Sequence, residues 1–336
     1  MTSRDPIELQ GLRREFGSFV AVDGLDLSIK RNSFTGFLGP NGAGKSTLSA
    51  VLAGKPQFTV TAGSIEFLGH DILTNLIKAT SGSAYLNGVD VVKDPSGALV
   101  DVGAVVETPE FYPYLTPRET MRYIGGIIGM SKENISAQTD EILEKVKMTQ
   151  WADKKLGTFS KGMRQRIALG QALLDDPKVI ILDEPTSGLD PRGMAEMREI
   201  LKNLRNDTND LTILMSSHIL HEVSDLCDRV AMINHGKLLV HDDIDVVKSI
   251  ADYRGIVVRM TETPEEHVIN RIMEMDNVVD AQRNGGNEVI VKIKGGAPEQ
   301  EKLYMDMAGS GMGVYSLSEI DNSLETIYLD LIKESR

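Results

Sequence analysis

The sequence predicts an α/β protein: a mainly parallel sheet covered by helices on both faces, with antiparallel strands before it and a small α+β domain after it. Three observations predict this. Residues 163–233 alternate helical patterns (163–174, 193–204, 220–227) with short apolar strands (179–182, 211–215, 230–233). Residues 7–29 alternate apolar segments with polar turns. Beyond His241 the order becomes strand 255–260, helix 264–275, strands 278–282 and 288–293, helix 298–307, strand 314–317 and a last helix 323–332. That βαββαβ order suggests a ferredoxin-like unit.

Taken in order, the first stretch turns at Glu15-Phe-Gly17 and Val22-Asp-Gly24, as antiparallel strands do. Phe34-Thr-Gly-Phe-Leu38 is a short apolar strand entering a glycine-rich loop, and from Ser46 the residues Leu48, Val51 and Leu52 recur at helical spacing. The chain then repeats itself. Thr61-Ala-Gly-Ser-Ile-Glu-Phe-Leu-Gly-His-Asp-Ile aligns with Thr80-Ser-Gly-Ser-Ala-Tyr-Leu-Asn-Gly-Val-Asp-Val at an offset of 19, with five of twelve positions identical. Two copies are too few for a solenoid and read as a duplicated strand and turn. From 111 to about 151 the pattern is helical. Thr116-Pro-Arg-Glu119 has the form of a capping box, and a second helix covers 135–146.

The 336 residues allow about two domains at roughly 150 residues each, divided here as 1–240 and 241–336, with a helical subdomain at about 108–155. Hydrophobic residues at 41% and charged residues at 25% exclude wholesale disorder. One cysteine, Cys227, excludes an intramolecular disulfide and fits a reducing compartment. A net charge of −13 argues against a nucleic-acid partner, although residues 241–336, with 19 acidic and 10 basic residues, hold most of it. The first ten residues lack the apolar stretch of a secretory signal, and the apolar runs at 179–182 and 213–215 fall far short of the ~20 residues that cross a bilayer. A soluble chain is expected, brought to any membrane by another protein.

The chemistry is concentrated in a few segments. Gly39-Pro40-Asn41-Gly42-Ala43-Gly44-Lys45-Ser46-Thr47 is a complete phosphate-binding loop between a strand and a helix. Its amides and the helix N-terminus suit phosphate oxygens, Lys45 suits the β- and γ-phosphates, and the Ser46 hydroxyl suits Mg²⁺. Residues 179–184, Val-Ile-Ile-Leu-Asp-Glu, end an apolar strand in two carboxylates. Asp183 suits a Mg²⁺ water shell, and Glu184 suits orienting or deprotonating an attacking water.

With these motifs in this order, residues 5–240 resemble the ATP-binding cassette (ABC) family, built on the P-loop NTPase cassette fold. The resemblance implies further roles. Thr158-Phe-Ser-Lys-Gly-Met-Arg-Gln165 stands where the family has its signature, whose Ser160 and Gly162 positions meet the γ-phosphate of ATP held by the opposite subunit. Ser160 also suits an N-cap. Ser187-Gly-Leu-Asp190 resembles the D-loop, whose Asp190 works across a dimer, and His218 matches the switch histidine at the γ-phosphate. His221 reads as a helix-surface residue. Phe16 falls where the family stacks an aromatic ring on adenine, or serves the core.

Two departures stand out. Glu107 replaces the usual Gln between Mg²⁺ and the coupling loop, and Lys161 and Met163 replace Gly and Gln of the signature. Lys161 either assists the phosphate across the dimer or points to solvent. These variants are similar to exporter cassettes of the ABC-2 group, including drug-resistance members. Phe111-Tyr-Pro-Tyr-Leu-Thr116 and Ser323-Leu-Glu-Thr-Ile-Tyr-Leu329 fit that group too, and the aromatics of the first either line a docking groove or form core.

The resemblance thus implies an ATPase using ATP and Mg²⁺. It would pair head to tail with itself or a related ATPase subunit, and work beneath a membrane-spanning permease at the cytoplasmic face of the membrane. The alternative is a non-transport cassette acting on nucleic acid or ribosomes. Only 138 residues separate Lys45 from Asp183, with no heptad arm, and the chain has one cassette. Glu184 and His218 argue against a module that binds ATP without turnover.

Overall fold

The computed structural model describes residues 5–40, 42–53, 59–61, 64–67, 70–71, 79–106, 109–207, 210–250, 253–320 and 324–334. The chain divides into two compact units, Met1–Asp243 and Ile244–Arg336.

The first unit opens with β1 (Ile7–Phe16) and β2 (Phe19–Ile29), an antiparallel hairpin whose two-residue turn sets Phe16 opposite Phe19. The expected turn at Val22-Asp-Gly24 is instead part of β2. Pairing passes from Leu12↔Leu25 to Arg14↔Val22, so β2 carries one extra residue there, and the strand bulges without reversing. Next come β3 (Phe34–Leu38) and α1 (Lys45–Ala53).

After α1, β4 (Thr59–Thr61), β5 (Ser64–Phe67) and β6 (His70–Asp71) form a small antiparallel sheet. A hairpin of β7 (Ser81–Leu86) and β8 (Val89–Asp90) follows, then the single turn α2 (Pro95–Ala98) and β9 (Val102–Val105). The two repeat copies pair alike. Glu66↔Asp71 and Phe67↔His70 in the first become Tyr85↔Asp90 and Leu86↔Val89 in the second, each displaced by 19 residues. It is the second copy that joins the antiparallel sheet, in the order β2-β1-β7-β8.

Helices α3 (Pro117–Ile127) and α4 (Lys132–Lys145) come next. The capping box forms: Thr116 Oγ1 accepts from the Glu119 N–H at 3.2 Å, and Glu119 Oε2 accepts from the Thr116 N–H at 2.9 Å. Beyond them run α5 (Lys161–Ala172), β10 (Val179–Asp183), α6 (Pro191–Asp207), β11 (Thr212–Ser217), α7 (Leu220–Leu226), β12 (Arg229–Asn234) and β13 (Lys237–Asp243). They complete a six-stranded sheet in the order β13-β12-β3-β11-β10-β9, parallel except for β13 at one edge.

The apolar stripe of α1 explains how the two sheets meet. Leu48, Val51 and Leu52 are buried together with Ile7 and Leu86 of the antiparallel sheet and Phe37, Ile181 and Leu214 of the parallel one. Alternation along β3 sends Gly36 to the opposite face from Phe37, where α7 lies so close that a Cβ on Gly36 would meet Val223 Cγ1 at 2.3 Å. The strand ends and loops between these layers carry the motifs. Among the described residues, no helix is long and apolar enough to cross a membrane.

The second unit runs α8 (Ile244–Ile250), β14 (Tyr253–Met260), α9 (Glu266–Met273), β15 (Val278–Arg283), β16 (Glu288–Lys294), α10 (Ala297–Gly309), β17 (Val314–Ile320) and α11 (Leu324–Glu334). Its antiparallel sheet has the order β15-β16-β14-β17, the ferredoxin-like arrangement, over a core that includes Ile256, Val258, Val289, Val291 and Leu303. Leu324, Ile327 and Tyr328 of the terminal motif are buried, so that face of α11 is packing.

Candidate active site

The phosphate-binding loop is fixed by its own backbone. The Ala43 N–H donates to the Pro40 carbonyl at 3.1 Å, and the Leu48 N–H donates to the Gly44 carbonyl at 2.9 Å as α1 begins. Gly44 has φ +99°, and a Cβ there would lie 2.2 Å from the Ala21 carbonyl oxygen, so no other residue fits. The cleft in front of the loop is lined by Phe19, Ala21, Gly42, Gly44, Lys45, Ser46, Thr47 and Glu184. Asn41 and Glu107 lie outside the described residues.

Lys45 is only 5% exposed. Its ammonium donates to the carbonyls of Gly39 at 2.8 Å and Pro40 at 3.1 Å, and lies 3.7 Å from Glu184 Oε1. Burial pushes the Lys45 pKa below the usual lysine value, while Glu184 and Asp183 oppose the shift. Asp183 is buried at the end of β10 and accepts a hydrogen bond from the Ser216 hydroxyl. The Glu184 N–H donates to Ser216 Oγ at 3.0 Å, and Glu184 has φ +45°, an uncommon conformation for a non-glycine residue. Its Oε1 is 3.1 Å from His218 Nδ1 on the turn after β11. Parallel pairing of Asp183 with Ser216 brings these strand ends together. The sequence-predicted Lys45, Asp183, Glu184 and His218 therefore meet at one place.

A second cleft lies elsewhere on the same unit. Ser160 caps α5, its Oγ accepting from the Met163 N–H at 3.3 Å, and it lines this cleft with Trp151, Gly162, Met163 and Asp190. Asp190 is also a cap: its Oδ1 accepts from the Gly193 N–H at 3.1 Å at the start of α6. No residue lines both clefts. The Lys161 ammonium rests against the loop before Asp190, where a Cβ on Gly188 would meet it at 2.4 Å. His221 is exposed on α7, in keeping with its surface reading.

Phe16 does not line the phosphate cleft; its ring carries the Arg14 guanidinium at 4.4 Å from the centroid. Its cross-strand partner Phe19, 57% exposed, lines that cleft instead. Sequence reading missed Phe19, and the available signal was the two-residue spacing that makes Phe16 and Phe19 neighbours across a hairpin turn. It also missed a buried contact between Glu222 and Thr186, for which no short motif exists.

The chemistry on hand is a phosphate cradle, a buried lysine, two carboxylates and an imidazole. Comparison with known proteins agrees. Residues 22–187 match the ABC transporter family. The bacitracin transport ATP-binding protein BcrA of Bacillus licheniformis is 33% identical over 97% of this chain and 97% of its own length. An ABC transporter ATP-binding protein of Bacillus subtilis (strain 168), YdbJ, is 32% identical over 96% and 94%. Among solved structures, an ATP-binding cassette of an ABC transporter in its ADP conformation aligns with TM-score 0.58 and 25% identity, covering 72% of this chain and 92% of that one. CbiO1 from Clostridium perfringens, part of the cbiONQ transporter complex, shares the fold with TM-score 0.59 over 80% and 95%. The chain belongs to the ABC transporter family, as an ATP-binding and ATP-hydrolysing subunit that energises transport.

Proposed function

We propose that this subunit drives an exporter by closing head to tail on a second ATPase subunit, itself or a relative, with ATP between the phosphate loop of one chain and Ser160, Gly162 and Asp190 of the other. The observation that carries this reading is the separation of the two clefts. The hydrolytic groups line one, and the signature residues line another that shares none of them. A single chain offers two half-sites, which a head-to-tail pair would complete. Export is favoured by the bacitracin-transport relative and by the linearmycin resistance ATP-binding protein LnrL of Bacillus subtilis, 28% identical over 97% of both chains.

Within a closed site, Lys45 exchanges its two loop carbonyls for phosphate oxygens, and Glu184 takes a proton from the attacking water. His218 holds Glu184 and the γ-phosphate in register. Ser46 and Asp183, with Glu107, are the oxygen donors for Mg²⁺. No group of three or more His, Cys, Asp or Glu able to hold a metal occurs among the described residues, which suits an ion that draws most of its shell from phosphate and water. When bound, that ion supplies charge neutralisation at the phosphates.

A membrane-spanning permease is the partner, placing the chain at the cytoplasmic face of the membrane, and the helical region offers it a surface. Tyr112 stacks near Tyr114 and edge-on to Tyr123, with ring centroids 5.6 and 6.0 Å apart. Tyr114, Tyr123, Ile127 and Ile128 are exposed, so this cluster faces outward and does not fill a core.

The test is Glu184→Gln. It keeps ATP binding, accumulates as a dimer with ATP in size-exclusion chromatography, and loses roughly 10²- to 10⁴-fold in hydrolysis rate, the usual contribution of a general base. Steady-state hydrolysis at the parent rate would remove Glu184 from the role.

A further inference from the structure

Glu222 sits in the first turn of α7 and is 2% exposed. Its Oε2 accepts hydrogen bonds from Thr186 Oγ1 at 2.7 Å and from Ser217 Oγ at 3.4 Å, and both partners are 3% exposed. Its Oε1 has no hydrogen bond to a described residue. Burying a carboxylate on two hydroxyl donors costs more than burying an apolar side chain of similar volume, so packing gives no reason for a glutamate here.

What the carboxylate holds gives the reason. Thr186 stands two residues beyond Glu184, at the root of the Ser187–Asp190 loop. Ser217 stands directly before His218, and its Oγ also accepts from the Ile219 N–H at 2.9 Å, which shapes the histidine's turn. One buried group therefore ties together the loops leaving β10 and β11, the two loops that bring Glu184 and His218 to 3.1 Å.

We propose that Glu222 is a positioning residue for ATP hydrolysis, tying the loop after Glu184 to the turn that carries His218. It does not line the nucleotide cleft; it acts through the geometry of the groups that do. Because Thr186 opens the loop that ends at Asp190 in the second cleft, the tie also joins the hydrolytic pair to the face assigned to the partner subunit. The inference rests on the reading of Glu184 and His218 as the hydrolytic pair.

The experiment compares Glu222→Ala, Glu222→Gln and Thr186→Val in the full chain, by ATPase kinetics and by NMR of the His218 imidazole, assigned from its loss in His218→Gln. Glu222→Ala is expected to lower kcat by about tenfold or more while KM for ATP stays within about twofold, and to shift the His218 resonances. Glu222→Gln keeps an acceptor for Thr186 and recovers most of kcat. Thr186→Val removes the donor without opening a cavity, so it reproduces the kcat loss even where Glu222→Ala folds poorly. Parent kcat and unshifted His218 signals in Thr186→Val overturn the proposal. A kcat loss that Glu222→Gln does not rescue overturns it as well. Failure of the underlying pair is read separately, from Glu184→Gln at the parent rate, because the His218 resonances report the tie without any turnover.

Discussion

Cys227 shows how much one side chain's surroundings decide. It is 6% exposed at the end of α7, and burial pushes its thiol pKa well above the ordinary value. The thiolate is the nucleophile, so both access and ionisation protect it. As the only cysteine, it gives a one-site reading. In neutral buffer a maleimide is expected to modify the native chain at least about 100-fold more slowly than the chain in denaturant, since reaction requires local opening of α7. Labelling of native protein at the free-thiol rate would contradict this burial. The site residues legible in the sequence share one property: their neighbours in space are their neighbours in the chain. Gly39–Thr47 and Asp183-Glu184 are contiguous, and the strand before each fixes where it points. Phe19 and Glu222 were not legible, because one depends on cross-strand register and the other on contacts 36 and 5 residues away.

At the scale of elements, strong periodicity was readable and weak edges were not. The α1 stripe and the apolar β10 and β11 stood out, while β9, Val-Gly-Ala-Val, and the half-exposed β13, Lys-Leu-Leu-Val-His-Asp-Asp, carry no alternation that separates them from loops. The repeat was visible as a duplication, but which copy belongs to the sheet was decided by pairing with β1. Ile7 to Gln10 pair with Leu86 to Ser83, all in the second copy. Because the hairpin pairs repeat at 19 residues, removing residues 61–79 joins Val60 to Thr80 and leaves α1 followed by the hairpin that the sheet uses. Eight residues, 54–60 and Thr80, then connect α1 to β7 and can span about 27 Å. Shortening a surface connection changes closure entropy by only a few tenths of a kcal/mol. The deletion variant is therefore expected to keep its melting temperature within about 3 °C and its ATPase rate within about twofold. An insoluble or inactive product would show that the first copy has a structural task of its own.

For the whole molecule, the question is how two clefts on one chain become one site, and the single tryptophan is placed to report it. Trp151 is half-buried, packs edge-on to Phe159 at 6.1 Å between centroids, and lines the Ser160–Gly162 cleft. That cleft also contains Arg166, paired with Glu196 at 3.3 Å, so a nucleotide and a second chain arriving there would displace water from a polar surface beside the indole. The phosphate cleft of the same chain has no tryptophan, and filling it alone leaves Trp151 in water. The two events thus have different dependences. Binding of ATP within one chain is independent of protein concentration, whereas a change at Trp151 requires a partner. In the Glu184→Gln variant, ATP is expected to shift Trp151 emission with a midpoint that moves with protein concentration, and ADP is expected to leave it unchanged. Lys45→Ala, weakened in phosphate binding, is expected to lose the shift. A shift that is complete at concentrations where sedimentation shows only monomer would place the nucleotide and the signature residues in the same chain, against the separation of the clefts.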